Sequence, residues 1–496
     1  MYRQNVTILS GLSGLLAAAL TAGCGGRESW APTEPTPGEV VTFGTDAPIC
    51  DVESFLVTIT SASLVSQTSS ETVSLVTSAA PTTVDFARLA DFTNILSTAN
   101  VPPGTYGALE ITLTNPQLIV LSASTNPPSA QNLTTTLTVT SLTITINPAL
   151  VVTSATTSGL TLDFNLRKSL QLDAFGQVTG TVDPEITVSA NTNSGSTVGE
   201  ADALYGLVGT PSTTNPPSGF TGSFPLTLYD GTGQTLAVLV NGSTVFEGGG
   251  ATSLSELTAN TFVEVDAIVN TNGQIIAQIV DVEGQTSAAS VMLALLGKVV
   301  NVTRDGSGNA TSFTLLVEVE DPNLEPFFQQ NGSGGVLYSD LPVTLTSSTN
   351  YFTNWRQWNQ QSFTFGPKTL GLAQNVAVFG TFTTTDGFAA NQVFLRPRNV
   401  MGNFKTLKAA GSDGVTGGFT MTPCGTLFGG TATSVLTYPD TVFDGVSGLT
   451  ALTPTPTLDT VGLLFYEQTS GTATTGGSWT APTWVMQARE VHQLPN

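Results

Sequence analysis

Two groups of carboxylates have the residue types of a calcium site, although neither has the spacing of one. Asp46, Asp51 and Glu53 lie close together near the start of the folded chain, and Glu318 and Glu320 alternate with valines. Calcium takes oxygen ligands, but neither group follows the Asp-x-Asp-x-Asp-Gly order of a dedicated loop. The alternation puts the two glutamates on one face of a strand, where a solvated sheet face is the competing interpretation. We expect no cofactor, with calcium at these five residues as the alternative.

A second segment combines aromatic rings with amides. Its candidate ligand-binding residues are Tyr351, Trp355, Trp358, Gln360 and Phe363. Rings of this kind stack on sugars or peptides, and amides supply paired donors and acceptors. The segment therefore predicts a site for a glycan or protein ligand. The alternative is that the rings close the end of a barrel or pack on a neighbouring domain, because large rings are mostly buried.

The residue types of common catalytic sites are scarce. The one histidine, His492, lies near the C-terminus, whereas Ser-His-acid and Cys-His catalysis need an imidazole positioned in a folded site. There is no Gly-x-Ser-x-Gly elbow and no cluster of zinc ligands. We expect a protein that is not an enzyme. A carboxylate-dependent glycan hydrolase is the alternative, because a sequence does not tell which carboxylates meet in space.

The charge balance excludes one class of partner. The 496 residues include 36 acidic and 14 basic side chains, a net charge of −22. Nucleic-acid binding needs a basic surface that displaces counterions from phosphates, so no nucleic-acid partner is expected. Anionic lipid headgroups would repel the same charge, and attachment to a membrane would therefore need a lipid.

Cys24 ends a short apolar stretch that could supply such a lipid. Arg3 makes a positive n-region, the stretch from Val6 to Leu20 is apolar, and small residues precede the cysteine. This arrangement resembles the lipobox of bacterial lipoproteins, with Thr21 where leucine is usual. The resemblance implies cleavage before Cys24, lipidation of its sulfur, and a place in the bacterial cell envelope, at the outer membrane. An ordinary secretory signal with an incidental cysteine is the alternative.

Two other cysteines, Cys50 and Cys424, remain once Cys24 carries a lipid. An extracytoplasmic setting permits a disulfide. These residues would lie in the first and last folded domains, so a bridge requires those domains to touch. Two separate buried thiols are the alternative.

Apolar residues that alternate with Thr and Ser indicate strands, and Gly and Pro separate them. After a signal peptide (1–23) and a Pro-rich tether (24–39), this pattern predicts a β-sandwich over residues 40–190, with one short helix at 86–96. Four motifs of this region, taken in order, resemble domain-of-unknown-function family 4382, which occurs in bacterial lipoproteins. They are Thr45-Asp46-Ala47-Pro48, Val101-Pro-Pro-Gly-Thr-Tyr106, the segment 162–170 and the segment 182–186. The family has no established activity, so the resemblance implies fold and location only.

A looser unit then recurs. Gly206, Gly297 and Gly402 each open a strand and lie roughly 90 to 105 residues apart. A Thr-bearing strand, a Val-rich central strand and a closing strand with Ala follow in each copy. The order resembles domain-of-unknown-function family 5666, and small barrels of the oligonucleotide/oligosaccharide-binding (OB) type suit it. We expect barrel repeats at 200–285, 294–398 and 400–494.

The sequence thus predicts an all-β protein in which an N-terminal β-sandwich precedes three small OB-like β-barrels. The favoured function is non-enzymatic binding or scaffolding in the cell envelope, with a glycan or protein ligand. The alternatives are the glycan hydrolase and a calcium-stabilised adhesive stalk.

Overall fold

Strands make up nearly all of the regular structure, as the abundance of Val, Ile and Thr predicts. The computed structural model describes residues 36–46, 49–69, 71–90, 92–122, 127–174, 177–191, 195–228, 234–248, 251–284, 293–320, 340–353, 363–383, 387–408, 410, 415–452, 457–467 and 483–494. Residues from Thr36 onward form one compact unit. No helix in the described ranges is long and apolar enough to cross a bilayer. The predicted all-β fold class is confirmed.

Thirteen strands build the N-terminal module. They are β1 (Gly38–Thr45), β2 (Val52–Ser66), β3 (Thr72–Val76), β4 (Thr82–Asp85), β5 (Asn94–Val101), β6 (Gly104–Ser122), β7 (Ser129–Leu133), β8 (Thr136–Leu137), β9 (Ser141–Val152), β10 (Thr157–Phe164), β11 (Leu170–Leu172), β12 (Val178–Val182) and β13 (Ile186–Ala190). The main sheet runs β3-β2-β6-β9-β13-β10-β1-β5, with β4 and β7 at its side, and β11-β12-β8 form a small second sheet. Phe55 of β2 packs on Phe164 of β10 with ring centroids 5.2 Å apart. Because four strand-to-strand steps separate β2 from β10, the sheet wraps around its core.

The helix predicted at 86–96 is wrong. A single 3-10 turn, Phe86–Leu89, occupies its first part, and the remainder continues into β5. Ile95 pairs with Phe43 of β1 and is buried, so strand pairing overrides the local helical pattern. Other short turns are the α-helix α1 (Leu166–Ser169) and the 3-10 turns Thr426–Phe428 and Leu449–Ala451.

Three barrels with one strand order follow, the first as a six-stranded sheet and the other two within a single 11-stranded sheet. Barrel 1 contains β14 (Thr197–Val208), β15 (Gly222–Leu228), β16 (Thr235–Val240), β17 (Val245–Gly248), β18 (Phe262–Asn270) and β19 (Ile275–Gly284). Barrel 2 contains β20 (Leu293–Arg304), β21 (Ala310–Glu320), β22 (Asp340–Thr344), β23 (Asn350–Phe352), β24 (Asn375–Thr383) and β25 (Gly387–Lys408). Barrel 3 contains β25 again, with β26 (Gly417–Pro423), β27 (Thr433–Thr437), β28 (Val442–Asp444), β29 (Thr457–Glu467) and β30 (Thr483–Gln493).

Each barrel closes in the same way. Its third strand pairs in parallel with its last long strand, as β16 does with β19, β22 with β25 and β27 with β30. The last long strand of barrel 2 is also the first strand of barrel 3, since β25 runs without a break for 22 residues. The boundary expected between 398 and 400 therefore falls inside one strand.

Two sequence features of the repeat have a structural cause. A Cβ at Gly297 would overlap the carbonyl oxygen of Leu316 on the neighbouring strand, and Gly206 and Gly402 face the same obstacle. The repeated threonine closes a turn: Thr349 Oγ1 accepts from Thr346 N at 2.9 Å and donates to the Ala390 carbonyl at 2.8 Å. Equivalent bonds join Thr244 to Asn241 and Ala277, and Thr441 to Tyr438 and Ala488.

The four modules make a closed cycle of contacts. Phe43 of the N-terminal module is buried in the core of barrel 1, and Phe262 and Phe379 belong to an apolar cluster between barrels 1 and 2. Strand β25 joins barrels 2 and 3. Cys50 of the N-terminal module forms a disulfide with Cys424 of barrel 3, with Cα atoms 5.8 Å apart. The first and last modules therefore touch, and of the two alternatives left open for these cysteines the structure has the bridge.

The turn-closing threonine predicts a stability effect. Thr349→Val keeps the shape of the side chain but leaves the Thr346 N–H and the Ala390 carbonyl without their bond. We expect the free energy of unfolding to fall by about 1–3 kcal/mol, the usual cost of unsatisfied buried polar groups. Chemical denaturation of the variant measures this. Thr344→Val, at an exposed position of β22, is the matched control, and equal midpoints for the two variants would contradict the role of the threonine.

Candidate functional site

A cavity lies where all four modules meet. Its volume is about 450 Å³, and its lining includes five of the 14 basic residues of the chain and ten of the 36 acidic ones. The bases are Arg88, Lys298, Arg396, Arg398 and Arg489. The acids are Asp46, Asp51, Glu53, Asp85, Glu200, Asp202, Glu264, Asp266, Glu318 and Glu490. Since only 10% of the residues are charged, this is a strong concentration of charge.

Lys298 joins the two predicted carboxylate groups. Its ammonium contacts Glu53 of the N-terminal module and lies 3.7 Å from Glu318 on the adjacent strand. The two glutamates face each other across a module boundary, and an ammonium occupies the position between them. Burial raises the pKa of Glu318, and the charge of Lys298 opposes that rise.

Arg396 fixes barrel 2 against barrel 1. Its Nη1 donates to Asp281 Oδ2 at 2.8 Å, and its Nη2 contacts Glu264, the cross-strand neighbour of Asp281. All three side chains are at most 17% exposed. Burial raises the pKa of Glu264, while the guanidinium acts against this. The guanidinium offsets part of the carboxylate charge inside the interface, where unpaired charge is costly.

The other three bases also contact protein groups. Arg398 donates to the carbonyls of Ala373 and Asn399 and lies over the ring of Phe428. The Arg88 guanidinium lies 6.0 Å from the centre of the Tyr205 ring. Arg489 Nε is 2.9 Å from Glu490 Oε1. The positive charge in the cavity is thus already engaged.

Barrel 1 presents an acidic wall to the cavity. Glu200 and Asp202 come from β14, and Glu264 and Asp266 come from the paired strand β18. Burial, together with the charges of Asp266 and Glu200, raises the pKa of Asp202 to about 7. Arg489 opposes the shift, but its guanidinium already contacts Glu490. Acidic side chains thus predominate on this wall, as they do in the whole lining, ten to five.

The predicted calcium residues have protein partners. Asp46 Oδ1 accepts from Leu166 N at 2.8 Å, and the Asp51 carboxylate accepts from Thr426 N and Oγ1 at 2.7 and 3.0 Å. Glu53 and Glu318 contact Lys298, and the side chain of Glu320 lies outside the described residues. Within those residues, no three His, Cys, Asp or Glu side chains are arranged to hold a metal ion.

The predicted aromatic site is described only in part. The ring of Tyr351 meets Phe365 edge-on at 5.7 Å, and that of Phe363 stacks on Phe465 at 5.1 Å. Both rings pack against the core of barrel 2, which agrees with the alternative that they close the barrel. Trp355, Trp358 and Gln360 lie outside the described residues, as does Cys24.

His492 lies within β30 rather than beyond the last strand. Its ring nitrogens are 3.6 Å from Asp444 Oδ2 and 3.4 Å from Glu490 Oε2. The hydrogen bond with His492 lowers the pKa of Glu490. The histidine thus contacts Glu490, which lines the cavity, without itself being part of the lining.

Sequence reasoning missed the acidic wall and all five bases. The available signal was the scarcity of Lys and Arg, which made the pair Arg396 and Arg398 on one strand face unusual. The partners of Arg396, Glu264 and Asp281, are 132 and 115 residues away in sequence, and no local pattern connects them to it.

The interface triad predicts a large effect of one substitution. Arg396→Met removes the cation and leaves Glu264 and Asp281 buried without it, which we expect to cost about 3–5 kcal/mol of stability. Thermal and urea unfolding measure the loss. Lys405→Met, at an exposed position further along β25, is the control. Adding Glu264→Gln to Arg396→Met should restore part of the loss, and a double variant weaker than the single one would contradict the pairing.

The sequence matches two family models. Residues 38–180 match Domain of unknown function (DUF4382), and residues 226–281 match Domain of unknown function (DUF5666). No curated protein matches. One solved structure, drosophila Unr CSD456, aligns at 8% identity over 53% of this chain and 91% of its own, with a TM-score of 0.14, which is too low to carry an argument. The resemblance to DUF4382 is confirmed over most of the N-terminal module, and that to DUF5666 over part of barrel 1. The resemblance of the second and third repeats to DUF5666 stays a prediction.

Proposed function

We propose that this protein is a lipid-anchored, non-enzymatic binding protein of the bacterial cell envelope, and that its cavity holds a small organic cation. The observation that carries the proposal is the excess of acidic over basic side chains in the lining, ten to five, with four of the acids on the wall of barrel 1. A bound amine would bring positive charge to this acidic lining.

Packing favours a binding role over a stalk. A stalk of tandem barrels would extend the modules in a row, whereas residues from Thr36 onward form one compact unit. Four modules that meet around a space of about 450 Å³ enclose a site of the size that small ligands use. Aliphatic side chains such as Leu296 and Val400 also line it and would contact the carbon chain of an amine.

The raised pKa of Asp202 gives the proposal a pH dependence. A carboxyl group with a pKa of about 7 is partly protonated at neutral pH, and a cation binds its ionised form. Binding should therefore strengthen as the pH rises from 6 to 8 and weaken as the pH falls.

Calorimetric titration of the full-length protein with spermidine tests this. We expect binding at pH 8 and up to about tenfold weaker binding at pH 6. Asp202→Asn/Asp266→Asn should bind about tenfold more weakly than the wild type, equal to about 1.4 kcal/mol. Glu110→Gln, at an exposed position of β6, is the control. N-acetylglucosamine, a neutral ligand of comparable size, should not bind. Equal binding by both variants, or a preference for the neutral sugar, would contradict the proposal.

A glycan hydrolase is the second candidate, and the same residue favours it. A carboxyl group with a raised pKa beside other carboxylates is the arrangement of a general acid with its partner. Release of reducing ends from chitooligosaccharides or peptidoglycan by the wild type, with loss of activity in Asp202→Asn, would support it. Turnover that is unchanged in Asp202→Asn would exclude this cavity as the catalytic site.

A further inference from the structure

We propose that the Cys50–Cys424 disulfide is a reducible latch that controls access to the cavity. That reduction opens the contact between the first and last modules is inferred from the fold alone. The effect of this opening on a ligand rests on the function proposed above.

The two cysteines lie in connections between strands rather than in strands. Cys50 is in the connection between β1 and β2, and Cys424 follows the last residue of β26. They are 374 residues apart in sequence, and both line the cavity. The bond therefore closes the cycle of modules at the wall of the cavity.

The sulfurs are within reach of a reductant. Both cysteines are half-buried, and the cavity they line provides an approach. Exposed disulfides are the labile ones, whereas deeply buried bridges resist reduction. The cell envelope expected for this chain is a compartment in which disulfides form and are also exchanged.

Among the described residues, polar and apolar contacts accompany the bridge where the N-terminal module meets barrel 3, a contact we call the seam. The Asp51 carboxylate accepts two hydrogen bonds from Thr426 beside the bridge. Ile119 and Leu121 of the N-terminal module belong to the apolar cluster that contains the core of barrel 3. These contacts let the seam close again after reduction. The N-terminal module and barrel 1 share a core at Phe43, and barrels 2 and 3 share β25, so these contacts do not depend on the bridge.

The chemistry balances with a dithiol as reductant. A thiolate of the dithiol attacks one sulfur of the bridge and forms a mixed disulfide with that cysteine. The S–S bond of the bridge breaks, and the other cysteine leaves as a thiolate that takes up a proton. The second thiol of the reductant then attacks the reductant's sulfur in the mixed disulfide, and the remaining cysteine leaves as a thiolate and is protonated. The products are two cysteine thiols and the oxidised dithiol, and a disulfide oxidant reverses the reaction.

Hydrogen–deuterium exchange of the full-length protein tests the latch, with dithiothreitol as the probe. We expect reduction to raise exchange about tenfold in the peptides around Asp51–Ser54 and Thr426–Phe428. Strands β15 and β16, which contribute no described residue to the cavity lining, should keep their exchange rates. Cys50→Ser/Cys424→Ser should exchange like the reduced protein, and dithiothreitol should not change it further.

Asp51→Asn is a second variant that leaves the bridge intact. Asn tolerates the φ of +59° at this position but accepts hydrogen bonds more weakly than a carboxylate. When oxidised, it should exchange like the wild type, and when reduced, it should open further. Three results would overturn the latch: a bridge that resists dithiothreitol in the native protein, unchanged exchange at both seam peptides, or a uniform rise throughout the chain. The last result would identify a bridge that only stabilises the fold.

Spermidine titration of the oxidised and reduced forms separates the two proposals. Faster association in the reduced form would link the latch to the ligand. If neither form binds while the seam still opens on reduction, the cation-binding function is wrong and the latch stands.

Discussion

The buried contact of Arg396 with Glu264 and Asp281 sets how barrel 1 faces barrel 2, and the cavity depends on that orientation. A charge removed from water must meet an opposite charge or a set of hydrogen bonds. Modules that carry ionised groups on their packing faces can therefore join only where those groups compensate each other. Where carboxylates crowd together, as around Asp202, burial and the neighbouring acidic charges raise a pKa. The same constraint thus accounts for both the interface and the candidate site.

The three barrels share the residues that hold the fold and differ in residues at their outer positions. Their inner positions repeat a glycine that lets neighbouring strands approach and a threonine that closes a turn onto the last long strand. Outer positions differ: by strand register, Glu264 in barrel 1 corresponds to Ala377 in barrel 2 and Asp459 in barrel 3. At this position the same fold thus carries an acidic side chain in barrel 1, an apolar one in barrel 2 and a buried acidic one in barrel 3. Their differences decide which barrel contributes charge to the cavity.

The local sequence pattern was enough to predict the strands. It was insufficient where pairing with a distant strand competes with a local preference. Alternation predicted the all-β class, because each strand must bury one face. It failed at residues 86–96, where Ile95 pairs with β1 and enters the core of barrel 1. The carboxylates were predicted as two separate groups, since nothing local placed Glu53 and Glu318 around the same lysine. The described rings of the aromatic segment, Tyr351 and Phe363, lie against a barrel core.

By itself, the sequence determined the pleated architecture, the order of the modules, the repeat and the two family resemblances, because these follow from periodicities and turn residues within short segments. Tertiary structure alone decided that the first and last modules touch, that Cys50 and Cys424 pair, and that five of the 14 basic residues line one cavity. Such contacts join residues more than a hundred positions apart. They depend on how whole modules pack, and the sequence pattern of a short segment does not predict the free energy of that packing.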